Sequence, residues 1–106
     1  MKLDTPLAVL QAHAGDVAQR LRIMAHPERL IMLCRMSEGE VSVTELISLT
    51  GLSQSAVSQH LATLREAEAV EVRAEAQIRF YRILDTQVDA IIRALCAVCA
   101  PETLRQ

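Results

Sequence analysis

Phe80 and Tyr81 are the only aromatic residues in this chain of 106 residues, and tryptophan is absent. A core has to be assembled from Leu, Ile, Val and Met, which points to mainly helical packing. Long apolar runs are missing too: none approaches the roughly 20 residues that span a bilayer. Lys2 is followed by Asp4, Thr5 and Pro6 rather than by the apolar region of a signal peptide, so the expected location is the cytoplasm. No excess of positive charge exists. The formal net charge is −2, and residues 53–83 carry Arg65, Arg73, Arg79 and Arg82 against Glu66, Glu68, Glu71 and Glu75. Any nucleic-acid binding must rest on local placement rather than bulk attraction. Cysteine is scarce and odd in number, at positions 34, 96 and 99, which makes no disulfide framework for a reducing compartment. Packing, thiol chemistry and metal binding remain as its uses. Internal repeats, linkers and low-complexity segments are absent, and the length suits one domain (residues 1–106) with a modest core that a second copy would help to stabilise.

What is present reads as a series of helices interrupted by one pair of strands. Thr5 and Pro6 form a helix start, and Leu10, Ala14, Val17, Leu21 and Met24 recur at helical spacing to about residue 24. Pro27 opens a second helix containing Leu30, Ile31, Leu33 and Cys34, and Gly39 suits its stop. Residues 43–66 have the layout of a helix-turn-helix: Ser42 or Thr44 caps the first helix, Gly51 makes the turn, and Ser53 caps the second. In that second helix Val57, Leu61 and Leu64 face inward, leaving Gln54, Ser55, Ser58 and Gln59 outside. Over residues 69–83 Val70 and Val72 alternate with charged residues, as do Ile78 and Phe80 with Arg79 and Tyr81, so two strands joined at residues 74–77 are expected. Asp85 caps a last helix to about residue 99, striped by Val88, Ile91, Ile92, Leu95, Val98 and Cys99 and ended by Pro101. The expected fold is mainly α with a β-hairpin wing, in the order α-α-α-α-β-β-α of a winged helix-turn-helix domain.

A recognition helix must carry short hydrogen-bonding side chains on the face that enters the major groove. Residues 53–60, SQSAVSQH, do so. Gln54 and Gln59 can donate and accept, Ser53, Ser55 and Ser58 can reach bases or phosphates, and His60 and Arg65 add phosphate contacts. Arg73, Gln77 and Arg79 of the hairpin stand where a wing meets backbone or minor groove. A Ser- and Gln-rich face is also what any solvated helix presents. The order of the elements, more than the residues, favours the double-stranded DNA reading.

The stretches MAHPERLIMLCRM, VTELISLTGLSQSAVSQHLATLREAEAV and AEAQIRFYRI resemble the ArsR/SmtB-type winged-helix repressors over residues from about 20 to 95. The resemblance implies a homodimer, joined through the first and last helices (residues 6–24 and 85–99), that binds a palindromic operator and leaves it when an inducer is sensed. Two metal sites of the family find no match. Where one has cysteines on the first helix of the helix-turn-helix, this chain has Ser42 and Thr44, poor ligands for soft metals. The other needs histidines in the last helix, which has none between Asp85 and Cys99. RLIMLCRM is similar instead to the persulfide- and sulfide-responsive branch of BigR-, SqrR- and HlyU-like proteins, in which a second-helix cysteine pairs with one near the C-terminal end. That resemblance implies redox sensing by Cys34 with Cys99 or Cys96, and an ungapped comparison places the usual partner at Ala100, nearest Cys99.

The chemistry would be attack of one thiolate on a persulfide sulfur and resolution by the second thiol, leaving a disulfide or polysulfide link. Arg29, Arg35 and His26 lie near Cys34 in sequence, where they bear on its thiol. Three alternatives stand beside this one. Cys34, Cys96 and Cys99 would bind arsenite or another thiophilic metal or metalloid as a trigonal site; all three would be packing residues in a repressor without a sensor; or the winged helix would bind protein alone. No cofactor and no resident metal are expected. An enzyme is not expected either: His13, His26 and His60 fall on three different predicted helices without a catalytic motif, and the chain is short for a pocket.

Overall fold

A computed structural model describes residues 5–99 of the chain. Helix α1 (Pro6–Met24) is capped by Thr5, whose hydroxyl accepts the Ala8 amide at 3.1 Å, and Pro6 occupies a first-turn position where no amide is needed. Helix α2 (Pro27–Met36) likewise begins with proline and buries Met32, Leu33 and Met36. A two-residue strand, β1 (Val41–Ser42), leads directly into α3 (Val43–Thr50), with Ser42 as the cap. Gly51, in the left-handed region at φ 73°, turns the chain toward α4 (Gln54–Glu66), which Ser53 caps. Strands β2 (Val70–Glu75) and β3 (Ile78–Ile83) form the hairpin, and α5 (Thr86–Val98) closes the described chain. The expectations for Lys2, Asp4, Ala100 and Pro101 lie outside the described residues.

Two details differ from the sequence reading. The hairpin is part of a three-stranded antiparallel sheet, ordered β1-β3-β2, with Val41 opposite Tyr81 and Val70 opposite Ile83. Two residues are too few to show alternation, so β1 leaves no signal of its own. The hairpin connection is also shorter than residues 74–77: Glu75 pairs with Ile78, leaving Ala76 and Gln77 as the turn. Ala76 adopts the left-handed conformation, φ 55°, that a tight turn demands and that glycine would adopt without steric cost.

The core lies where α2, α3, α4, α5 and the sheet meet. Met32, Leu33, Leu46, Val57, Leu61 and Leu64 are closed to solvent there. The inward triad of α4 is as expected from its spacing. The stripes of α1 and α5 behave differently. Of the α1 stripe only Met24 is buried, and on α5 Val88 and Ile92 enter the core while Leu95 and Val98 stay exposed.

Helix α1 is fastened to α5 by charge. Arg20 Nε donates to Asp85 Oδ2 at 2.8 Å, while Asp85 Oδ1 accepts the amides of Gln87 and Val88 as the cap of α5. Partial burial pushes the Asp85 carboxyl up, but the Arg20 hydrogen bond and the two amides outweigh it and hold the pKa below its ordinary value. The stabilisation is therefore present above the unfolded pKa of about 4 and disappears as pH falls through the lower folded value. Asp85→Ala is expected to cost about 1–2 kcal/mol at pH 7. Urea titrations at several pH values should show the gap to wild type closing below about pH 4.

Candidate functional site

The first candidate surface is the outer face of α4 with the wing beside it. Because Val57, Leu61 and Leu64 turn inward, helical geometry leaves Gln54, Ser55, Ser58 and Gln59 exposed on the opposite side. The Ser53 hydroxyl accepts the Ala56 amide at 3.1 Å, so it caps the helix and keeps its own O–H to donate. Between α4 and the wing lies a groove of about 490 Å³, lined by residues that include Thr44, Gln54, Ser58, Gln77, Arg79 and Tyr81. It brings Gln54 and Ser58 of the recognition helix together with Gln77 and Arg79 of the wing, about twenty positions away in sequence.

The arginines divide into those that are engaged and those that are not. Arg73 donates to both carboxylate oxygens of Glu40, at 2.6 and 2.8 Å, and to Glu75 at 2.7 Å, with its guanidinium 4.7 Å from the centre of the Phe80 ring. Its hydrogen bonds with Glu40 and Glu75 hold Arg73 firmly protonated, and the Arg73 hydrogen bond draws the Glu40 carboxyl below its usual range. Arg73, expected to meet DNA, is in this structure engaged within the domain: from β2 the side chain reaches across β3 and ties the wing to the loop before β1. Arg82 pairs with Glu71. Among the described residues, Arg65 and Arg79 form no ion pair, and both are exposed.

His60, expected to add a phosphate contact, is likewise engaged within the domain. It is half-buried, its ring centroid 4.5 Å from that of His26, and its Nδ1 accepts a hydrogen bond from Arg29 Nε at 3.3 Å. Desolvation, then the adjacent His26 and Arg29, lower its pKa, which favours the neutral imidazole. The histidines at 26 and 60 are therefore not scattered. His26 is the cap residue of α2 rather than part of a helix, and it meets α4.

The second candidate is the thiol pair. Cys34 of α2 and Cys96 in the last turn of α5 are joined as a disulfide, with Cα atoms 6.7 Å apart, inside the range that such a bond spans. Both are half-buried against the core. Cys99, which the sequence comparison placed nearest to the partner position, is instead the exposed C-cap of α5 with a free thiol. Cys96 and Cys99 share the face of the fully buried Ile92, four and seven residues beyond it, but Cys96 is one turn nearer the core while Cys99 stands at the helix end. Neither nearby arginine is directed to Cys34: Arg29 donates to His60 and to the Ile23 carbonyl, and Arg35 to Glu45 at 2.6 Å. Arg93 Nη2 donates to the Ser37 carbonyl at 2.7 Å, a second tie between α5 and the end of α2.

A capped helix-turn-helix with a hairpin wing and an outward polar recognition face defines a winged-helix DNA-binding regulator. Residues 26–72 match the family described as bacterial regulatory protein, arsR family. The Biofilm growth-associated repressor of Agrobacterium fabrum is 41% identical over 93% of this chain and 86% of its own length. Among solved structures, the transcriptional repressor BigR from Xylella fastidiosa superimposes with a TM-score of 0.83 at 33% identity, covering 91% of this chain and 98% of that one. Reduced HlyU from Vibrio cholerae N16961 gives 0.81 at 41% identity, over 86% and 96%. The chain belongs to the arsR family, and within it to the BigR- and HlyU-like branch of transcriptional regulators; it is not an enzyme.

For the arginines the expected outcome is a division of labour. Arg79→Ala and Arg65→Ala should each weaken DNA binding uniformly across sequences and reduce the salt slope by about 1. Arg73→Ala should act on wing stability and leave the salt slope unchanged. Fluorescence anisotropy over a salt series, with thermal melts of the same variants, checks all three.

Proposed function

We propose that this regulator is a homodimeric repressor whose hold on a palindromic operator is broken or weakened when Cys34 and Cys96 are oxidised by persulfides or related reactive sulfur species. The observation that carries the reading is the meeting of the two sulfurs across α2 and α5. The dimer reading is supported by apolar surface left without a partner: Leu7 and Leu10 on α1 are 66% and 51% exposed, and Val98 on α5 is 56% exposed. DNA contact would come from Ser53, Gln54, Ser55, Ser58 and Gln59 of α4, with Arg65, Gln77 and Arg79. A cytoplasmic location follows from such a role.

The reaction balances with one persulfide. The Cys34 thiolate takes the outer sulfur of R–S–SH, releasing RSH and forming Cys34–S–SH. The Cys96 thiolate then attacks the Cys34 sulfur and expels hydrosulfide, so two thiols are oxidised to a disulfide and the sulfane sulfur is reduced to sulfide. A further persulfide would lengthen the bridge by one sulfur. Helix α5 carries both Cys96 and part of the proposed dimer face, so a covalent tie to α2 alters how the two copies sit. Recognition helices that must match half-sites about 34 Å apart tolerate little such movement.

Reduced protein would be treated with glutathione persulfide and, separately, with arsenite, then followed by tandem mass spectrometry and by binding to DNA selected against the reduced form. The expected product is a Cys34–Cys96 link of two or more sulfurs with at least a tenfold loss of DNA affinity. Cys34→Ser and Cys96→Ser should abolish that response, and Cys99→Ser should keep it. Release by arsenite alone, dependent on Cys34, Cys96 and Cys99, would replace this reading with a metalloid sensor. Sedimentation should show dimers for the wild type, and monomers with lost DNA binding for Leu10→Glu combined with Leu21→Glu.

A further inference from the structure

His26, Glu28 and His60 reach one another from three places in the chain: the cap of α2, its first turn, and the middle of α4. One ligand atom from each lies within 4.8 Å of the other two. A second observation concerns the space between them. His26 Nδ1 is closed to solvent and makes no hydrogen bond, although Glu28 Oε1 is only 2.9 Å away. The contact is short, but the carboxylate is off the line along which an imidazole N–H would donate. An imidazole nitrogen and a carboxylate oxygen held side by side without a hydrogen bond between them are both satisfied by a bridging cation.

We propose that these three residues bind a divalent transition-metal ion of the zinc, cobalt or nickel class. Two imidazoles and one carboxylate suit such borderline ions, and they leave a fourth position for water. In a tetrahedral site with ligand distances of about 2.0–2.2 Å, the ligand atoms stand about 3.3 Å apart. His26 Nδ1 and Glu28 Oε1, 2.9 Å apart, already stand at about that spacing, and the set, which lies within 4.8 Å, has to close by no more than about 1.5 Å on side chains that are 41% and 33% exposed. Arg29 opposes the ion. Its Nε donates to His60 Nδ1 at 3.3 Å, a long hydrogen bond that the metal would displace or would avoid by taking the other ring nitrogen. The positive end of α2 opposes a cation as well, which makes the Glu28 carboxylate necessary. Occupied, the site would pin the start of the cysteine-bearing helix α2 to the recognition helix α4. It does not depend on the sulfur chemistry proposed above.

The test uses the full chain with Cys34, Cys96 and Cys99 replaced by serine, so that no thiol competes for the ion. Titration with Co²⁺ should give one ion per chain with the weak visible bands of nitrogen and oxygen ligands, and Zn²⁺ should displace it and raise the melting temperature. His26→Gln, His60→Gln and Glu28→Gln should each weaken binding at least tenfold, whereas Arg29→Gln should strengthen it several-fold. No binding at hundred-micromolar Co²⁺, or binding indifferent to these substitutions in protein with an unchanged circular dichroism spectrum, would overturn the site. Should His60→Gln fail to fold, Glu28→Gln, whose side chain is 33% exposed, decides the matter.

Discussion

Helix α2 buries Met32, Leu33 and Met36, and with ten residues it makes fewer than three turns. Its inward face is wholly committed to the core, so the positions to either side have to meet whatever packs alongside. Cys34 comes against α5 at Cys96, and the chain just before the helix brings His26 against α4 at His60. Arg35, on a further face, reaches Glu45 of α3. The helix thus touches the element that reads DNA, the element that precedes it and the element that carries the apolar face. Displacement of so short and so fully packed a segment cannot be absorbed locally, because close-packed interiors yield as units. The Cys34–Cys96 link and the hydrogen bond from Arg29 to His60 thus meet on one short helix.

Electrostatics in this domain works by subtraction. With no net positive charge in the helix-turn-helix and wing, the pattern of ion pairs decides which arginines remain without a carboxylate partner. Glu40 and Glu75 engage Arg73, Glu71 engages Arg82, and Asp85 engages Arg20, leaving Arg65 and Arg79 on the recognition side. The paired arginines build the wing and fasten α1. An exposed pair contributes little to stability, but several around one loop fix its geometry. The acidic residues that make the chain negative overall are thereby part of what shapes the basic edge.

The two ends of the chain are where the isolated domain is least complete. Helix α1 keeps Leu7, Leu10 and Leu21 in solvent, and α5 keeps Leu95 and Val98 there. The proposed second copy, presenting the same helices, would cover this apolar surface, in keeping with the modest core that 106 residues can form.

By itself the sequence determined the elements. Ser42, Ser53 and Asp85 announced helix starts through their capping chemistry, Gly51 announced the turn, and the spacing of Val57, Leu61 and Leu64 determined which face of α4 reaches solvent. Such features act within a few residues of one another, so a linear reading captures them. Tertiary structure alone decided the rest: that Cys96 rather than Cys99 meets Cys34, that Arg73 belongs to Glu40, that His60 turns to His26, and that Val41 adds a strand beside Tyr81. Each joins residues about thirty or more positions apart. The physical reason is that a one-turn difference on α5, or the reach of an arginine across a strand edge, is set by how packed elements rotate against one another, and no local period records that.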